Sequence, residues 1–162
     1  STNAQTTDRH MLRWIRNNIP PGMVIAEAAW IRPGESFVGA YDIHGRIASL
    51  TGHPVPIGWG HHERQWRGKE GDRAVMEREM RVDRFFRADS PETMRRMAAE
   101  LGIDYVYYGL LERQRYALNL KLGDQVLENL SAAGRLVVSA PAGRPVIFLF
   151  DFQPLQPKMD AP

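Results

Sequence analysis

The thirteen residues "PIGWGHHERQWRG", Pro56 to Gly68, gather two tryptophans, two histidines, a glutamate and two arginines between glycines. Three chemistries suit such a set. The first is metal binding. His61 and His62 are adjacent, so their side chains diverge, and the i, i+4 spacing of a helical H-E-x-x-H pair is missing. A metal would need His44 or His53 to come close in space. The spacing favours local hydrogen bonding over a metal, and we assign no metal ligand.

The second is acid–base work. Glu63 beside His62, with Arg64 and Arg67 near, could form a tuned acid or base. A Glu–Arg pair that clamps the loop is the favoured reading of the same residues. Glu112 and Arg113, directly after an apolar run, pose the same choice. The third is ligand contact. Trp59 and Trp66 beside arginine suit the flat faces and polar edges of a sugar or a base. Packing competes with that reading, more strongly for Trp59 than for Trp66. Arg67 and Arg113 could hold an anion next to a helix N-terminus.

In "YVYY", Tyr105 and Tyr107 face one side of a strand while Val106 and Tyr108 face the other. Such aromatics are ordinarily core. Tyr108 lies next to the loop and is the one placed to reach a ligand. No catalytic residue is assigned. There is no G-x-S-x-G elbow, no Walker loop and no G-x-G-x-x-G, so no cofactor is expected.

These residues need a scaffold. The 162 residues are 43% hydrophobic and 25% charged, which suits one globular domain. A formal net charge of +2 is no footprint for nucleic acid, and no nucleic-acid partner is expected. The basic residues are nearly all arginine, with only Lys69, Lys121 and Lys158 besides. The chain has no cysteine, which excludes thiolate chemistry and disulfides. No run of about 18 apolar residues is present to span a membrane. The opening "STNAQTT" lacks an initiator Met and reads as a tag remnant or the edge of a longer protein.

The pattern predicts an α/β fold of three layers. A mostly parallel sheet would carry helices on both faces and an antiparallel C-terminal hairpin. Helices are expected in "DRHMLRWIRNNIPPG" with Asp8 as cap, "DIHGRIASLTG" with Asp42 as cap, "EGDRAVMEREMRVDRFF", "DSPETMRRMAAELG" and "LERQRYALNLKLG". Parallel strands are expected in "MVIAEAA", "PVPIGW" and "IDYVYYG", and the hairpin in "RLVVSA" and "PVIFLFDF". Ligand sites of such sheets lie beyond the carboxyl ends of the strands. That singles out the loops Ala29–Tyr41, Gly58–Gly68 and Gly109–Arg113. Residues 1–7 are expected to be loose, 8–152 to form one domain, and 153–162 to be a Pro-rich tail.

Two blocks, "GRIASLTGHPVPIGWGHHERQWRG" and "LGIDYVYYGLLER", resemble the C-terminal part of the YYY family, large polytopic membrane proteins of bacteria and archaea. The resemblance rests on Arg46, Ser49, Thr51, Gly52, Pro54, Gly58, Trp59, His62, Glu63, Trp66, Arg67 and Gly68, then Tyr105, Tyr107, Gly109, Glu112 and Arg113. It runs from about Val24 to Arg113, over half the chain. Gly60-His61 stands where Pro-Gly is common, and Tyr108 where Val is common.

The family is similar to the multi-spanning, lipid-sugar-dependent glycosyltransferases of the GT-C type. The resemblance implies an extracytoplasmic soluble domain attached to its own transmembrane region. Such a domain would help bind a lipid-linked sugar or a glycan acceptor and would not catalyse alone. It makes ligand-contact candidates of Trp59, His62, Glu63, Trp66, Arg67, Tyr108, Glu112 and Arg113. Two other readings stay open. One is a stand-alone α/β enzyme, hydrolytic or metal-assisted, built on His62 and Glu63. The other is a structural or interaction module in which the motif packs.

Overall fold

A computed structural model describes residues 2–28, 46–56, 60–116, 120–143 and 145–154. Helix α1 (Thr2–Asn18) buries Met11, Leu12 and Ile15, with Ile19 just beyond its end. That spacing lines one face of a 3.6-residue repeat. Pro20 and Pro21 then stop the helix. Residues 2–7, expected to be loose, are helical, and Asp8 lies inside α1 rather than capping it.

Strand β1 (Ile25–Ala26) pairs parallel with β2 (Tyr105–Tyr108), Ile25 opposite Tyr105 and Ala26 opposite Val106. The second expected parallel strand, "PVPIGW", does not form over residues 54–56, and Ile57–Trp59 lie outside the described residues. The physical reason is proline. The Ile25 N–H donates to the Pro54 carbonyl at 2.9 Å. Pro54 and Pro56 have no N–H to extend that contact into a ladder.

Helix α2 (Arg46–Thr51) ends at Gly52, whose φ of 77° is the left-handed turn expected there. Its expected start at Asp42, and the loop Ala29–Tyr41, lie outside the described residues. Helix α3 (Gly60–Phe86) corrects the motif loop. From Gly60 the motif is helical, and a non-helical Gly68 (φ 58°, ψ −142°) breaks it from the rest of α3. Val82, Phe85 and Phe86 are buried, while Met76 and Met80 are exposed.

Helix α4 (Pro91–Leu101) begins and ends as its sequence predicts. The Ser90 hydroxyl accepts from the Thr93 N–H, Pro91 opens the first turn, and Gly102 closes the helix in the left-handed region. The helix expected in "LERQRYALNLKLG" is described as α5 (Leu110–Tyr116) and α6 (Leu120–Ala133), and residues 117–119 between them lie outside the described residues. Arg95 on α4 donates to the last α6 carbonyls, Ala132 and Ala133, at 3.0 and 3.1 Å.

Strands β3 (Arg135–Ala140) and β4 (Ile147–Asp151) form the expected antiparallel hairpin. The sheet order is β1-β2-β4-β3, with β2 and β4 antiparallel. The fold is α/β, but the sheet is mixed: β1–β2 is the one parallel pair among the described residues. The mostly parallel expectation is corrected accordingly. Alternate β2 side chains enter two cores. Tyr105 and Tyr107 pack with α1, α2 and β4 residues such as Ile15, Ile47 and Leu149. Val106 and Tyr108 pack with Phe85, Phe86, Met94 and Leu130.

Candidate functional site

Because β1 and β2 run parallel, their carboxyl ends lie side by side. Chain leaves β1 through Glu27 and Ala28, and leaves β2 through Gly109 into α5. Glu112, in the first turn of α5, is fully buried and joins these two exits. Its Oε1 accepts from the Ala28 N–H at 3.0 Å, and its Oε2 from the Gly109 N–H at 2.9 Å. The second bond is the backward reach of an N3 glutamate to the residue that starts its helix.

Both Glu112 oxygens also accept from Arg46 Nη2, at 3.3 and 3.0 Å. Arg46 stands at the start of α2, 7% exposed. Its Nη1 lies 3.3 Å from Glu27 Oε2 and its Nε 3.5 Å from Asp8 Oδ2. The guanidinium plane sits over the Tyr107 ring, 4.7 Å from the centroid. The Tyr107 hydroxyl donates to Asp8 Oδ1. Asp8, Glu27, Tyr107 and Glu112 thus converge on one guanidinium from α1, the β1 exit, β2 and α5.

The electrostatics follow from burial. Glu27 is 5% exposed. Burial pushes its carboxyl up to about 8, Arg46 opposes that, and the negative charges of Glu112 and Asp8 reinforce it. Burial alone would pull the Arg46 guanidinium down, but Glu112 and Glu27 outweigh it and hold the charge firmly. The Tyr107 hydroxyl is raised by burial first, with Asp8 and Glu112 adding to the effect. At neutral pH Glu27 therefore keeps its proton while Arg46 keeps its charge. Asp8, at 30% side-chain exposure, is the carboxylate that solvent or a ligand can touch.

The expected site residues that are described, Tyr108, Glu112 and Arg113, divide between the two faces of the sheet. Glu112 belongs to this cluster. Arg113, next to it, turns to the other face of the sheet, where its guanidinium lies 5.6 Å from the Phe148 ring centroid. Glu112 and Arg113 therefore do not act as a pair. Tyr108 is fully buried in the core with Phe85 and Phe86, so its ring does not reach outward from the strand end. The tyrosine in the cluster is its neighbour Tyr107. His62, Glu63, Trp66 and Arg67 fall in the helical first part of α3. Their side chains, and the whole of Trp59, lie outside the described residues. His53 is buried, with its ring nitrogens 3.0 Å from Thr51 Oγ1 and from the Ile19 carbonyl.

Asp8, Glu27, Arg46 and Tyr107 were not singled out as ligand contacts by the sequence. One signal pointed to Glu27: it is the single charge in the apolar run "MVIAEAA". A lone carboxylate in a strand that is otherwise buried must find a partner. No protein family, curated protein or solved structure matches the chain.

Proposed function

We propose that this chain is the extracytoplasmic, ligand-assisting domain of a polytopic membrane protein of the YYY type. The parent protein resembles lipid-sugar-dependent glycosyltransferases. The domain contributes to binding a lipid-linked sugar or glycan acceptor and does not turn over substrate alone. One observation supports this reading above others. Arg46 and Glu112, one from each block that carries the resemblance, lie 66 positions apart and meet in a buried pair. They meet at the carboxyl ends of the parallel strands, where open α/β sheets place their ligand sites. With α1 and α2 on one face of the sheet and α3, α4 and α6 on the other, the chain reads as a three-layer domain.

The test is titration of the purified chain with a polyprenyl-phosphate-linked sugar and with a panel of oligosaccharides. Saturable binding that Asp8→Asn weakens agrees with the proposal. No binding to any member, by the chain or by the full-length protein in nanodiscs, sinks it.

A second reading, the structural module, is favoured by the saturation of Glu112. Two backbone N–H groups and Arg46 Nη2, which donates to both oxygens, leave its carboxylate little to offer a ligand. Under that reading Asp8→Asn leaves ligand binding alone and only lowers stability.

A further inference from the structure

The cluster places three carboxylates, Asp8, Glu27 and Glu112, around one guanidinium, and they are not equally compensated. Glu112 has two backbone N–H groups and both contacts to Arg46. Asp8 has the Tyr107 hydroxyl and access to water. Glu27 is buried. The Ile47 backbone gives it one hydrogen bond, but its Oε2 accepts none among the described residues and faces a guanidinium already engaged by two other carboxylates. A buried charge in that position is expensive, and taking up a proton relieves it.

We propose that the Asp8–Glu27–Arg46–Glu112 cluster is a proton-operated clasp, in which one proton on Glu27 lets a single guanidinium hold α1 and α2 to the sheet, and loss of that proton loosens them. This goes beyond the proposed function and does not depend on it. The elements concerned are the ones the cluster joins: α1 packs on α2 and on β4, and Asp8 is the α1 group in the cluster. The groups facing Glu27 are Asp8 from α1, Arg46 and the Ile47 backbone from α2, and Glu112 from α5, with Tyr107 of β2 behind Arg46.

The direction of the effect is fixed by linkage. Glu27 titrates at about 8 in the closed cluster and near 4.5 when released. The closed form therefore binds more protons, and it is tightest in acid. Opening of α1 rises about tenfold per pH unit between those two values and levels off above the upper one.

Hydrogen exchange of α1 from pH 5 to pH 9.5, corrected for the intrinsic chemical rate, reads this directly. The wild type is expected to lose protection steeply up to about pH 8 and no further. Glu27→Gln, neutral at every pH, is expected to flatten the profile. Matching profiles for the two proteins overturn the proposal. Should Glu27→Gln fail to fold, carboxyl NMR on the wild type decides. A Glu27 midpoint in the ordinary carboxylate range overturns the clasp. So does a raised midpoint with α1 protection that ignores pH.

Discussion

Glu112 grips Arg46 through both carboxylate oxygens, at 3.3 and 3.0 Å, while the same oxygens accept backbone N–H bonds from Ala28 and Gly109. One side chain thus fixes the exits of two strands and the start of a helix. Glu112→Gln keeps the shape but removes the charge, and it leaves an amide where two N–H donors and a guanidinium expect oxygens. Breaking a buried pair from one side costs about 3–5 kcal/mol. The low end is expected here, because Glu27 can ionise and take over part of the pairing. The same substitution should lower the Glu27 carboxyl, since the Glu112 charge helps to raise it. Urea unfolding and a carboxyl NMR titration measure the two effects. A stability loss below about 1 kcal/mol would place the pair among ordinary surface bridges.

Ser90 offers a local and separable test. Its hydroxyl accepts from the Thr93 N–H at 3.1 Å and caps α4. Ser90→Ala leaves that N–H without its acceptor and should cost about 1 kcal/mol, while Ser90→Gly should cost only a few tenths. Thermal unfolding of both variants gives the comparison. Equal losses would show that the hydroxyl is not what stabilises the helix start.

The contrast between these two residues explains what the sequence made legible. The α4 caps, the hairpin and the Gly52 stop depend on residues a few positions apart, so type and spacing suffice to read them. Glu112 was legible as a candidate because it follows the buried strand "YVYY". Its meeting with its partners was not. Asp8, Glu27 and Arg46 approach it across 104, 85 and 66 positions, and no local pattern encodes such a meeting. The mixed sheet was hidden for a similar reason. "PVPIGW" has a strand's apolarity, but its prolines lack the N–H groups a ladder needs, and β4 takes the place beside β2. The motif's histidines and tryptophans looked like a loop because glycines bracket them. In the fold the helix starts at Gly60, and Gly68 becomes its break.

Glu79 gives the fold a second pH dependence, away from the clasp. It lies on α3 and is 4% exposed. Burial pushes its carboxyl up to about 7, with Arg115 opposing. A folded value above the ordinary 4.5 means that the native state holds the proton more tightly than the unfolded chain. Its stabilising contribution is therefore complete below about pH 4.5 and is lost as the pH rises to about 7. Between pH 5 and pH 8 the wild type should lose on the order of 1–3 kcal/mol from this group. Denaturant unfolding of Glu79→Gln at the two pH values should show a smaller fall than the wild type. If the fall is identical, Glu79 titrates like an exposed carboxylate.

Gly109 marks how tightly the strand exit is packed. A Cβ built there would lie 2.8 Å from Cε1 of the Tyr107 ring and 3.3 Å from its hydroxyl oxygen. A ring on the surface would swing aside. This one is fully buried, covered by the Arg46 guanidinium and tied to Asp8, so it cannot move without disturbing the cluster. Gly109→Ala should therefore destabilise by about 1–3 kcal/mol, the usual range for overpacking. It should also loosen Arg46, although the Gly109 N–H that Glu112 accepts is retained. A double-mutant cycle separates the clash from any backbone effect. In a Tyr107→Ala background the alanine at position 109 has no ring to meet, and its cost should vanish. A cost that persists there would place the strain in the backbone turn between β2 and α5, not in the contact with Tyr107.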